Sequence, residues 1–285
     1  MKAAILFYAI FLVTALLIPQ GISFAADQFT IAIMQDDKDA AKRYKPLEAY
    51  LGRKGVRCIL SETPNYSTAA HQFRAGRTDA MFSGSGVAGI FIVKGIANPL
   101  VRPVGRDGKG TYHAVVLAKK GSPPYTGSAS YFAGKAVTFT ALASSGEIFF
   151  RAIPQIKAMK TKVLKVASHG YAIDALAKGA ADVAIVKDHV WEKHASEYPD
   201  IVMVGQDDGE NPDNTLMISN KADMKVVLKV TDALLALKDD KSPEAKAVRE
   251  QMSVMEFVRT TQKDFGHTME LLKRAGVDRS FEFAF

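Results

Sequence analysis

The chain has 285 residues, 48% of them hydrophobic, with 37 Lys and Arg against 30 Asp and Glu and a formal charge of +7. Such a length buries a large core and exceeds the needs of one compact domain, and the basic residues are scattered among the acids rather than gathered with aromatics on the face a nucleic-acid binder requires. The only cysteine, Cys58, excludes an intramolecular disulfide, and no His/Cys cluster has metal-ligand spacing.

Residues 1–25 read as an address. Lys2 gives a positive start, Ala3 to Ile18 is apolar, Pro19-Gln20-Gly21 breaks the run, and Ser23-Phe24-Ala25 offers small residues for cleavage. No cysteine follows that point, so a lipid tether is not expected. Lys2 is the one charged residue in the segment, so the mature chain of 260 residues carries +6 and is expected to be exported and soluble.

Beyond it, short β-rich runs alternate with amphipathic helical ones, the pattern of α/β folds with helix-covered parallel sheets. Phe29 to Met34 reads as a strand, Tyr44 to Leu51 as a helix with Pro46 in its first turn, and Val56 to Leu60 as a strand that buries Cys58 as core filler. Asp79 to Phe82 is a third strand, followed by Ser83-Gly84-Ser85-Gly86 and an apolar helix through Val93. Further strands are expected at His113 to Ala118, Ala136 to Thr140, Val163 to Val166, Val183 to Val186, Ile201 to Val204 and Thr215 to Ser219. From Ala222 onward the periodicity predicts helices only, one of them over Met252 to Val258.

Two features stand out. Ala136 to Thr140 runs into Ala143-Ser144-Ser145-Gly146, and a helix over Glu147 to Ile156 follows with Ile148, Phe149, Ala152 and Ile156 on one side. A strand ending in Ser-Ser-Gly at a helix start leaves backbone amides unpaired with the helix dipole behind them, a cradle for an anion. No lysine follows the glycine as in a P-loop, so a small oxyanion suits it better than a nucleotide. The second feature is a repeat. Phe73 to Phe82 and Leu176 to Ile185 both read as a helix end, a Gly-x-x-Asp turn (Gly76 and Asp79, Gly179 and Asp182) and a buried strand. One such unit in each half suggests two similar lobes, 27–110 with 217–285 and 111–216. Ligands of open α/β sheets sit beyond the strands' carboxyl ends, which puts Ser83 to Gly86 on one wall of a cleft and Ser144 to Gly146 on the other.

In the order and spacing of these pieces the chain resembles the phosphate/phosphite/phosphonate-binding periplasmic proteins of ABC transporters, with a two-lobed type II clamshell. The resemblance runs through Pro46 to Leu51, Tyr66, the first Gly-x-x-Asp, Gly84, Tyr112 to Ser122, Gly134 to Gly146, His169 to Asp182 and the helical tail. It implies a ligand site built from Ser144, Ser145, Gly146, His169, Tyr66 and Tyr112, with Ser83 and Ser85 on the facing wall. The family's Ser-Thr-Ser-Gly turn here lacks one hydroxyl, at Ala143, and a tyrosine frequent after the third strand has no counterpart. Phosphonate binders tend to carry a carboxylate where this chain has Lys187-Asp188, and alternation lets only one of the two face the cleft. Lys187, which the reading favours, would match a compact inorganic anion; Asp188 would leave room for an amine-bearing zwitterion. The resemblance further implies a periplasmic, monomeric binding protein without cofactor, serving an ABC permease or presenting ligand to a membrane sensor kinase. Ser144 or Ser145 with His169 and Asp182 also supplies the residue types of a hydrolase, but no Gly-x-Ser-x-Gly elbow is present, and Asp79 and Asp182 are expected to be structural.

Overall fold

The computed structural model of the protein describes residues 27–34, 40–142 and 144–283, so the expected export signal at 1–25 and Ala143 lie outside the described residues. In chain order the first elements are β1 (Asp27–Met34), α1 (Ala40–Tyr44), α2 (Pro46–Arg53), β2 (Val56–Thr63), α3 (Tyr66–Arg74), β3 (Ala80–Ser83), α4 (Ser85–Lys94) and β4 (Ala97–Gly105). A short β5 (Thr111–Tyr112) leads to β6 (Ala114–Lys119), β7 (Ala136–Thr140), α5 (Ser145–Ala152), β8 (Lys162–Val166), α6 (His169–Ala177), β9 (Val183–Lys187), α7 (Asp188–His194) and β10 (Ile201–Gln206). The chain then passes through β11 (Asn211–Pro212) to β12 (Thr215–Ser219), α8 (Met224–Leu235), α9 (Pro243–Gln251), β13 (Val254–Arg259) and α10 (Gly266–Ala275).

The strands form a six-stranded sheet, β13-β4-β12-β3-β1-β2, and a five-stranded sheet, β10-β6-β9-β7-β8. Their cores match. β2, β1 and β3 are parallel in the first sheet, as β8, β7 and β9 are in the second, and each trio continues into antiparallel strands. Helices cover both faces, so the central strands are apolar on successive residues. Ile31 and Ile33 pack under α8 and α9, whereas Ala32 between them faces α3, α4 and α10.

The Gly-x-x-Asp repeat does the same work twice. Gly76 and Gly179 both have φ +73°, a left-handed turn that glycine takes without steric cost. The following aspartates clamp the first strand of each parallel trio. Asp79 accepts from the Thr30 amide at 2.8 Å and Asp182 from the Ala136 amide at 2.7 Å, and each aspartate's own amide donates back to the same residue's carbonyl.

Three expectations need correction. The helix after the Ser-Ser-Gly turn stops at Ala152, not Ile156, because Ile153 precedes Pro154 and takes an extended conformation with ψ 125°. Residues 252–258 are not helical; β13 lies there, paired with β4. A register shift between Val254 and Glu256 puts the buried residues Val254 and Phe257 three apart, which imitates helical spacing. β4 itself has no counterpart among the expected strands, since Pro99 and Pro103 argue against an interior strand; register shifts on both its sides accommodate them.

The two sheets are joined by two strands of chain, 105–114 outward and 206–215 back. These meet as a two-stranded antiparallel ribbon in which Tyr112 pairs with Asn211 and Thr111 with Pro212. α10 fastens the return strand to the first sheet: His267 Nε2 meets both Asp207 carboxylate oxygens at 2.8 Å, and Thr268 donates to Asn211 at 2.7 Å.

α5 is held at close range to the second sheet. A Cβ on Gly146 would lie 2.5 Å from the Ile185 carbonyl oxygen and 3.1 Å from Phe139 Cβ. Gly→Ala inside a helix ordinarily stabilises. Here Gly146→Ala is expected to destabilise by about 1–3 kcal/mol through overpacking, read as a lower midpoint in urea unfolding.

Candidate functional site

Between the sheets lies a cleft of about 430 Å³. Four helices of eight or more residues begin at its walls. α3 presents Tyr66 and α4 presents Gly84 and Gly86 from one side; α5 presents Ser144 and Ser145, and α6 presents Ser168 and His169, from the other. Each helix follows the carboxyl end of a parallel strand, so unpaired amides and positive helix ends gather at one place. At α5, Ser144 Oγ accepts from the Glu147 amide at 3.2 Å, and the first intrahelical bond runs from Ile148 to the Ser144 carbonyl at 2.9 Å. The Ser145 and Gly146 amides precede both.

Of the residues singled out from sequence, Ser144, Ser145, His169, Tyr66, Tyr112 and Lys187 line the cleft. Gly146, Ser83 and Ser85 stand behind it. Gly146 lets α5 approach β9, Ser83 Oγ pairs with the Tyr66 hydroxyl at 2.9 Å, and Ser85 Oγ pairs with the Tyr112 hydroxyl. The Gly84 amide also donates to Tyr66, at 2.8 Å. Both phenols are thus aimed by fixed partners, and burial raises them, Tyr66 to about 12, against the pull of Ser83, Gly84 and Lys187. They act as neutral hydroxyls at any working pH.

Three buried polar atoms of cleft residues have no hydrogen-bond partner among the described residues: Ser145 Oγ, Thr140 Oγ1 and His169 Nδ1. Ser145 Oγ is near enough to the Tyr112 phenol to favour its ionised form, yet makes no bond of normal geometry to it. Other buried polar atoms without a partner, such as Thr78 Oγ1 and Thr138 Oγ1, lie away from the cleft; these three differ in bordering a space that an external partner can enter. Burial lowers His169 from 6.5 to about 3, helped by Lys187 and opposed by Asp213, so the ring is neutral and offers one donor and one acceptor.

Lys187 faces the cleft and Asp188 does not. Asp188 accepts from the His113 and His189 amides at 3.1 and 2.7 Å. The partner of Lys187 is a residue that sequence reasoning passed over, Asp213, with which it forms an ion pair. Burial alone would raise Asp213; Lys187 and His189 outweigh it and hold the carboxyl below its usual range. Asn211-Pro212-Asp213-Asn214 reads as a polar loop between strands, and only the return crossover turns it inward. Asn214 tolerates φ 38° there and donates to the Tyr44 hydroxyl at 2.7 Å. Thr140 was within reach of sequence reasoning, because it ends a parallel strand where ligands of such sheets bind.

The residue types of a hydrolase are not assembled. Asp182 clamps the beginning of β7, whereas Ser144 and Ser145 follow its end. Among the described residues no group of three or more His, Cys, Asp and Glu could hold a metal ion.

Residues 29–265 match the family described as ABC transporter, phosphonate, periplasmic substrate-binding protein. The chain belongs to that family. Its members are solute-binding proteins of transport, not enzymes, which places this protein in the periplasm with a small ligand and a permease as partners. Among curated proteins none matches the chain. Solved structures share the type II periplasmic-binding fold at low identity. PhnD1 from Prochlorococcus marinus, in complex with methylphosphonate, is 14% identical with a TM-score of 0.72, over 88% of this chain and 99% of that one. A protein from Xanthomonas citri bound to ATP is 16% identical, TM-score 0.72, over 88% and 98%. A binding component of an ABC phosphonate transporter from Pseudomonas aeruginosa is 15% identical, TM-score 0.69, over 87% of each.

The neutral His169 sets a pH dependence for this binding protein. Unfolded, it takes up a proton near 6.5 that the fold refuses until about 3, so stability drains as pH falls through that window. His169→Gln, which cannot titrate, is expected to flatten the decline in melting temperature between pH 6.5 and 4, read by thermal melts across that range.

Proposed function

We propose that this protein captures a small phosphorus oxyanion between two lobes, 27–110 with 217–285 and 111–216, and that the closed form is delivered to its permease after export by cleavage near residue 25. The observation that carries this is a cleft ringed by helix N-termini, at which three buried atoms, Ser145 Oγ, Thr140 Oγ1 and His169 Nδ1, have no partner among the described residues. An oxyanion would take the Ser145 and Gly146 amides, the two hydroxyls and the two phenols, which replace its water with fixed donors. The β5–β11 ribbon would act as the hinge, and closure about a ligand is the usual signal of such clamshells.

Each hydrogen bond to a charged group contributes roughly 1.5–3 kcal/mol net. About four of them, less the cost of closure, support a dissociation constant near micromolar, about −8 kcal/mol. Ser83 and Ser85 act one step back, by holding Tyr66 and Tyr112 in position.

The test is a melting-temperature screen of the mature protein against phosphate, phosphite, methylphosphonate, sulfate and arsenate, since a ligand of the folded state alone raises the midpoint. Phosphorus oxyanions are expected to raise it. Ser145→Ala is expected to weaken binding at least tenfold in calorimetry with an unchanged circular dichroism spectrum; unaltered affinity would remove Ser145 from the site.

A further inference from the structure

One cluster in the cleft is unlike the rest. Lys187, at the end of β9, extends its ammonium to the Asp213 carboxylate and stands 4.6 Å from the centroid of the Tyr112 ring. A second edge of Asp213 faces His189 Nε2 at 3.5 Å. A carboxylate beside an aromatic face is what an ammonium group seeks, an opposite charge on one side and a ring's negative face on the other. The chain fills that position itself. Both partners are largely shielded, with side-chain exposures of 15% for Lys187 and 22% for Asp213.

Resting on the oxyanion reading above, we infer that Lys187 is a built-in counter-ion seated in an ammonium subsite, which makes the cleft select oxyanions without a positively charged tail. An incoming aminoalkyl group would have to displace a tethered competitor. Lys187 is paired through its backbone with Ala114, and its backbone opens α7, so its ammonium stays at high effective concentration beside Asp213. A ligand ammonium that failed to displace it would meet a like charge at close range. Removing the lysine ammonium leaves Asp213 without its main counter-charge and the Tyr112 ring uncovered, a vacancy shaped for the group that the native protein rejects.

Methylphosphonate and 2-aminoethylphosphonate separate the possibilities, because they share the head group and differ in the ammonium tail. The wild-type protein is expected to bind methylphosphonate at least tenfold more tightly than the aminated compound in calorimetry. Lys187→Ala is expected to tighten binding of 2-aminoethylphosphonate at least tenfold and to reverse that order. Lys187→Met, which keeps the stem over Tyr112 and removes only the charge, serves if the alanine variant folds poorly; Lys187→Arg is expected to keep the native order. A wild-type protein that prefers the aminated compound overturns the inference. So does an unchanged preference in both neutral variants, with the oxyanion reading left standing. If neither compound nor inorganic phosphate binds the wild-type protein, that reading falls and the inference with it.

Discussion

A right-handed strand–helix unit delivers the start of its helix to the strand's carboxyl end, and this molecule is arranged around that constraint. Each start carries amides without intrahelical partners and about half a positive charge. One such end beside water is ordinary. Four of them, from α3, α4, α5 and α6, border a cleft of about 430 Å³. Partial charges of one sign then face one another across the cleft, and the buried hydroxyls of Ser145 and Thr140 add donors without acceptors among the described residues. The arrangement is electrostatically unfinished, and the proposed anion would complete it. Packing fixes the groups of each half in advance, so a ligand meets, on either wall, donors that need not be reorganised within that half.

That fixity has a structural source in the two Gly-x-x-Asp turns. Asp79 and Asp182 tie the start of one strand to its parallel neighbour, at Thr30 within β1 and at Ala136, which opens β7, on the side of each sheet remote from the cleft. Locking register there determines which residues emerge at the opposite edge, because a slip of one position would exchange the two faces of a strand. Thr140 reaches the cleft for this reason, four residues along β7 from the clamped Ala136. The same hydrogen-bonding device in both sheets gives the two halves a common plan.

Much of this could be read from the chain. Successive apolar residues flanked by glycine turns revealed the parallel strands, and the Ser144-Ser145-Gly146 turn was recognisable because its chemistry is local. Non-local features escaped. β13 was hidden by a bulge whose effect depends on its pairing with β4, and β4 by two prolines that its neighbours' irregular register accommodates. Asp213 lies in a stretch that sequence marks only as a turn, and its meaning comes from Lys187, 26 positions earlier in the chain. Ser83 and Ser85 sit in a turn rich in ligand-type residues, yet tyrosines from elsewhere in the chain claim their hydroxyls. Residue type announces what a side chain can do; the partner that takes it up first is decided in three dimensions.

α5 shows how site and frame are joined. It belongs to the second sheet by connection, and Gly146 and the buried Glu147, paired with Lys165 at 2.7 Å, bind it there. Phe149 and Phe150 pack into that sheet's core. Ile148 and Ala152 belong instead to the cluster of Phe91, Leu272 and Ala275, formed by helices of the first sheet. The helix whose N-terminus borders the cleft is therefore also an apolar contact between the halves. If the lobes part as proposed, that contact must shear or open, and each square ångström of apolar surface exposed costs about 25 cal/mol. An anion that holds the amides of α5 against the facing tyrosines favours the state in which the contact is intact. Ligand capture and lobe closure would then draw on one helix, Ser145–Ala152, the first through its N-terminus and the second through Ile148 and Ala152.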